Sequence, residues 1–147
     1  MRRFSALSVL AAALLATPPA DALPEADYAA LNQRAVEQHV RPRYAALAEA
    51  TAALATDAKA FCASPTNEKL PDLQRSYHAA TDAWQDVQHI RFGPVELFFR
   101  SQRIAFWPDQ RNTITKQMAE ILSRRNDAAL ESDKLGRGSV AVQGLPA

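Results

Sequence analysis

Apolar positions recur with helical spacing over three stretches of the chain. In the first, from about Asp27 to Ala63, Val40, Leu47, Leu54 and Phe61 return every seven residues, with Tyr44 and Ala58 at intervening positions. That spacing keeps one face of a helix apolar through several turns. Pro42 interrupts it, because proline lacks an N–H and clashes with the preceding turn. Either a short lead-in helix ends near Arg41 and the main helix takes Pro42 into its first turn, or one long helix kinks there. In the second stretch, Asn67 to Arg91, Leu70, Leu73, Tyr77, Ala80, Trp84 and Val87 alternate steps of three and four, the core stripe of a bundle helix. Thr66 or Asn67 suits its N-cap, and Pro71 is tolerated in its first turn. Ala63-Ser64-Pro65-Thr66 reads as a tight turn, so the first two helices are expected to run antiparallel. Tyr77 and Trp84 would then be buried between them, contributing roughly 2–3 kcal/mol per ring.

Phe92-Gly93-Pro94 stops the second helix. The connection after it carries Phe98, Phe99, Phe106 and Trp107 without clean period, and reads as a packed crossover laid on the bundle. A third helix is expected from about Asn112 to Arg125, with Ile114, Met118, Ile121 and Leu122 on one face. Gly136-Arg137-Gly138-Ser139 reads as a flexible hinge, and Ser139 suits the cap of a fourth helix starting near Val140. The fold class expected is all-α, an antiparallel helical bundle. A helix with an apolar face must bury it. Three amphipathic helices and a stub leave a bundle open, so the chain reads as the N-terminal part of a larger fold, prone to self-association through its open apolar face.

The first residues change the picture from helical domain to exported helical domain. Arg2 and Arg3 form a positive start, Ala6 to Ala16 an uncharged apolar run, and Ala20-Asp21-Ala22 a small-x-small cleavage site. Residues 1–22 are therefore read as a cleavable signal peptide and 23–147 as a soluble mature domain of the periplasm or cell envelope. A membrane anchor needs about 20 apolar residues, more than this run supplies, and no second run comes closer. Cys62 is the only cysteine, which excludes an internal disulfide. Its place beside Phe61 on an apolar stripe reads as a small buried hydrophobe. The formal net charge of +1 excludes a general nucleic-acid binder, which carries a concentrated basic field.

No serine–histidine–acid set, phosphate-binding glycine loop or paired-cysteine motif appears. The most suggestive constellation lies on the second helix, where His78, Asp82 and His89, with Asp86 at the margin, fall at steps of four and seven along its polar face. That column offers two imidazoles and a carboxylate to one divalent metal or iron ion; the plain alternative is a solvated face opposite the core stripe. His39 stands alone on the first stretch with no special role expected. Arg91, Arg100 and Arg103 flank the aromatic connection, either as an anion site or, the simpler reading, closing ion pairs with Glu96 or Asp109.

Phe61-Cys62-Ala63, the proline turn, Ala83-Trp84-Gln85, Arg91-Phe92-Gly93-Pro94, Phe106-Trp107-Pro108-Asp109 and Val142-Gln143-Gly144-Leu145-Pro146-Ala147 follow one another in an order that resembles the N-terminal part of imelysin-like proteins. The resemblance runs from about Ala35 to Ala147. It implies one part of a two-bundle helical fold in an exported or lipid-anchored bacterial protein of a family named as metallopeptidases and often linked to iron uptake. Other envelope iron-uptake proteins are the partners it implies. The family hallmark is a Gly-x-His-x-x-Glu motif held to bind metal. Gly144 matches its glycine, whereas Pro146 stands at the histidine position and the glutamate position lies past Ala147. The resemblance thus implies a binding or interaction component linked to metal acquisition, with a metallopeptidase and a metal-free structural module as the rival readings.

Overall fold

The structure, a computed structural model, describes residues 24–124 and 130–147. The export signal expected at 1–22 lies outside them. The chain divides into two units between Ala35 and Val36. In the first, helix α1 (Glu25–Ala35) carries Glu25 and Asp27 in its first turn and Arg34 in its last. That arrangement opposes the helix dipole at both ends. None of its residues is buried.

The second unit opens with one turn of π-helix, Val36–Val40, and α2 follows from Arg41 to Ala63. Pro42 sits in the first turn of α2, where its missing N–H has no intrahelical partner to lose. Helix α3 runs from Leu70 to Val87, with Pro71 in its first turn and no side-chain cap from Thr66 or Asn67. The two helices are antiparallel. At one end Lys69 Nζ donates to the carbonyls of Ala60 (3.3 Å) and Ser64 (3.1 Å). At the other the Tyr44 hydroxyl donates to the Ile90 carbonyl at 3.3 Å.

Leu47, Trp84, Val87, Ile90 and Val95 form the core, edged by Val40, Tyr44, Ala83, Ile104, Ala105 and Leu145. Burial of each large side chain there contributes roughly 1.5–3 kcal/mol. The buried stripe of α3 follows the expected one in its C-terminal half, at Ala80, Trp84 and Val87, and departs from it in the N-terminal half. Ser76, Ala80, Trp84 and Val87 face inward, while Leu70 and Tyr77 stay 39% and 40% exposed. The buried Ser76 hydroxyl is satisfied by the Leu73 carbonyl at 3.1 Å. Tyr77 lies at the rim with its hydroxyl donating to the Leu145 carbonyl at 2.9 Å, as suits a ring with one polar end.

The connection after α3 departs further from expectation. It forms two 3₁₀ turns, Gly93–Val95 and Leu97–Phe99, and a short helix α4, Arg100–Ile104. Val95 is buried, yet Phe92, Phe98, Phe99 and Trp107 are 62–77% exposed. Phe98 and Phe99 have φ of 56° and 57°, a left-handed reversal that carries their rings away from the core. The anchoring falls to Val95, Ile104 and Ala105.

Helix α5 spans Thr113–Arg124, within a residue of the expected limits, although Leu122 is 67% exposed. Gly136 belongs to a further helix, α6 (Ser132–Arg137), where a hinge was expected. Ser139 does cap the next element, its hydroxyl accepting from the Ala141 N–H, but that element is a single 3₁₀ turn, Val140–Val142. Buried Ala141 seats this turn against α5 and α4. Cys62 is exposed and does not fill the core. Among the described residues there is no strand, and no helix is long and apolar enough to cross a membrane.

Candidate functional site

The antiparallel pairing of α2 and α3 brings the π-helical turn next to the chain just past α3. His39 and His89, equally far in sequence from Ser64, meet there with Nε2 atoms 3.0 Å apart. Their ring centroids are 5.3 Å apart and the planes are tilted by 57°. Arg43 follows His39 by one turn, and its Nε–H donates to His39 Nδ1 at 3.2 Å. Because Nδ1 accepts, neutral His39 carries its proton on Nε2 and donates it to His89, whose own proton then lies on Nδ1. Asp86 on α3 faces Arg43 across the pair, with Oδ2 3.7 Å from Nη1. Thus a carboxylate, a guanidinium and two imidazoles form one chain of contacts at the surface.

Of the residues picked from the α3 column, His89 enters this cluster directly and the marginal Asp86 through Arg43, whereas His78 and Asp82 stay outside it. His78 is exposed, its ring edge-on to the neighbouring Tyr77 at 5.7 Å. Asp82 is exposed as well. Among the described residues no three His, Cys, Asp or Glu side chains gather closely enough to hold a metal ion. His39, set aside in the sequence, is the residue that pairs. Its equal distance with His89 from the Ser64 turn was the signal that an antiparallel hairpin would bring them together.

Along the far face of α2 runs an open apolar trough. Tyr44, Leu47 and Thr51 line one part with Val95 and Ile104 opposite. Thr51, Leu54, Ala55 and Ala58 continue it toward Ile104 and Leu145. Arg100 and Arg103 stand on its margin. Burial, and after it the negative charge of Glu96, pushes the Tyr44 phenol above its usual range. None of Arg91, Arg100 and Arg103 closes the ion pairs expected with Glu96 or Asp109 among the described residues. Arg100 donates to the Pro94 carbonyl at 3.0 Å and lies over the Phe98 ring. Asp109 serves α5: its two oxygens accept from the N–H groups of Thr113 (2.7 Å) and Ile114 (2.9 Å), which hold its carboxyl below the usual range.

Gly144 closes the trough at its far end. Its φ is +77°, and a Cβ placed on it would lie 2.3 Å from the carbonyl oxygens of Arg103 and Ile104. Only glycine permits that approach. It lets the Leu145 N–H donate to the Ile104 carbonyl at 2.9 Å. The glycine of the hallmark motif is therefore a packing residue here. Pro146, at the histidine position, has no ligand atom, so the residues present do not fit the metal site that motif implies.

The fold and this clasp define a class, all-α proteins of antiparallel helices in which a glycine-led segment locks onto a helical hairpin. Within that class the chain belongs to the imelysin family, named as a peptidase family, whose model matches residues 40–147. Comparisons with curated proteins and with solved structures gave no match.

Proposed function

We propose that the protein is an exported imelysin-family component of a bacterial cell envelope that acts by binding, in iron or metal acquisition, and not by peptide hydrolysis. The observation that carries the binding reading is the open trough on α2, an apolar floor bordered by Arg100 and Arg103. Continuous apolar surface of this kind marks association sites on proteins. Pro146 in the ligand position of the hallmark motif argues against a peptidase centre built in the family's way. The Arg2-Arg3 start, apolar run and Ala20-Asp21-Ala22 site support export, and the family link to iron uptake supports the acquisition role.

The test is a deletion strain grown under metal limitation. Lower cell-associated iron or another transition metal, restored by the full-length gene, is the expected result. Unchanged metal content with normal growth would favour a structural module. Zinc-dependent, chelator-sensitive cleavage of unfolded protein by the purified chain would favour the peptidase. Mass spectrometry of the envelope fraction should find an N-terminus at or near Leu23; an intact Met1 in the cytoplasm would end the export reading.

A further inference from the structure

We propose that His39 and His89 form a two-imidazole clamp for a borderline divalent cation, copper(II) foremost and zinc(II) after it. The proposal deepens the metal-linked reading by naming a site and a cation class. Bonds from imidazole nitrogen to such ions are about 2.0–2.1 Å long, which sets two nitrogens on one ion about 2.9 Å apart at a right angle and about 3.3 Å apart at a tetrahedral angle. The Nε2 atoms are already 3.0 Å apart. The antiparallel hairpin fixes this spacing, so the backbone has no closure to make. The rings face each other nearly in line, as their N–H···N bond requires. A cation bonded to both nitrogens sits about 1.4 Å off that line, so each imidazole swings by roughly 40° to aim its lone pair at it. His89 is exposed and His39 half-buried, so the swing occurs at the surface. Two imidazoles suit copper and zinc ahead of magnesium or calcium, and the stability order of the divalent ions places copper first. The remaining coordination positions belong to water.

The flanking charges give the site a distinctive handicap. To ligate through Nε2, His39 must move its proton to Nδ1, with no net proton lost. Nδ1 then becomes a donor facing the Arg43 Nε–H, donor against donor. Arg43 must let go, and Asp86, already 3.7 Å from Nη1, is the partner that retains it. Arg43 therefore opposes loading, both by its charge and by the tautomer it holds. Metal-bound histidines usually have an acceptor at the second nitrogen, and altering that partner changes affinity about 10–100-fold.

Isothermal titration of the tag-free mature chain with Cu²⁺ and with Zn²⁺ tests this, with electron paramagnetic resonance on the copper form. One Cu²⁺ per chain is expected, with nitrogen couplings from two imidazoles. His39→Ala and His89→Gln should each weaken binding about ten-fold or more, and Arg43→Gln, which offers an acceptor to Nδ1, should strengthen it by up to about ten-fold. His78→Ala should leave it unchanged. Circular dichroism of each variant establishes that the helices are intact. The proposal is overturned by absence of stoichiometric binding in the parent or by affinity indifferent to His39 and His89. It is overturned equally by loss with His78→Ala while His39→Ala binds normally, which would assign ligation to the His78–Asp82–His89 column. A metal-replete deletion strain with an intact copper site would sink the acquisition role and leave the site standing.

Discussion

The α2–α3 hairpin and the segment from Phe92 to Trp107 are both rich in aromatic side chains, and they dispose of them in opposite ways. In the hairpin Trp84 is 7% exposed and Tyr44 tucks its hydroxyl onto the Ile90 carbonyl. In the segment Phe98, Phe99 and Trp107 stand more than 70% exposed, while Val95 does the anchoring. The chemistry of the rings is the same; the backbone differs. On a regular helix each ring's direction is fixed by its position, which turns Trp84 inward and leaves Tyr77 at the rim. Where two successive residues take left-handed φ, as at Phe98 and Phe99, the chain reverses and large side chains leave the core. Burial thus follows backbone periodicity before it follows hydrophobicity.

The sharpest way to break this comparison is to truncate one tryptophan from each region. Trp84→Ala should cost about 3–5 kcal/mol in urea unfolding, as for other buried large-to-small changes. Trp107→Ala should stay within about 0.5 kcal/mol, the range of surface substitutions. Equal losses would show that the segment packs as the hairpin does. Next in size is Gly144→Ala, where a Cβ meets two backbone carbonyls that cannot swing aside. A loss of about 1–3 kcal/mol is expected, typical of overpacking, and a neutral result would mean that the clasp is dispensable. Tyr44→Phe removes one hydrogen bond and keeps the ring, so about 0.5–1.5 kcal/mol should go. The smallest effect concerns Asp109. Its folded carboxyl titrates below the ordinary carboxylate range, so its cap stabilises α5 above that range and is lost as pH falls through the depressed folded value. Asp109→Asn should flatten that acid limb of a thermal melt recorded against pH; an unchanged limb would show that the cap carries no weight.

Much of the helical framework was legible because period is a local signal. The limits of α2 and α5, the first-turn prolines and the antiparallel turn at Ser64 all follow from spacing and from what proline lacks. The exposure of Leu70 and Tyr77 in the N-terminal half of α3 was not legible. That half lies away from the core of Leu47, Trp84, Val87, Ile90 and Val95, which gathers at the C-terminal end of the helix and just past it. Cys62 shows the same limit: it borders the apolar stripe, and the helix turns it to solvent. For the site, sequence spacing along one helix suggested His78, Asp82 and His89, whereas the contact that forms is between elements. A histidine without neighbours in sequence, His39, acquires its partner only when the hairpin closes.

The clasp at Leu145 has a consequence in time. Its bond to Tyr77 joins residues 68 apart in the chain, while the α2–α3 hairpin closes through a turn of a few residues. Contacts of long sequence separation carry a larger loop-closure cost and form late, after local ones have organised the chain. A late contact leaves the folding rate untouched and governs how fast the native state is lost. Gly144→Ala should therefore speed unfolding with little change in refolding. Trp84→Ala, in the early hairpin, should slow refolding itself. One glycine then sets the lifetime of the folded protein, and one tryptophan sets how soon that state is reached.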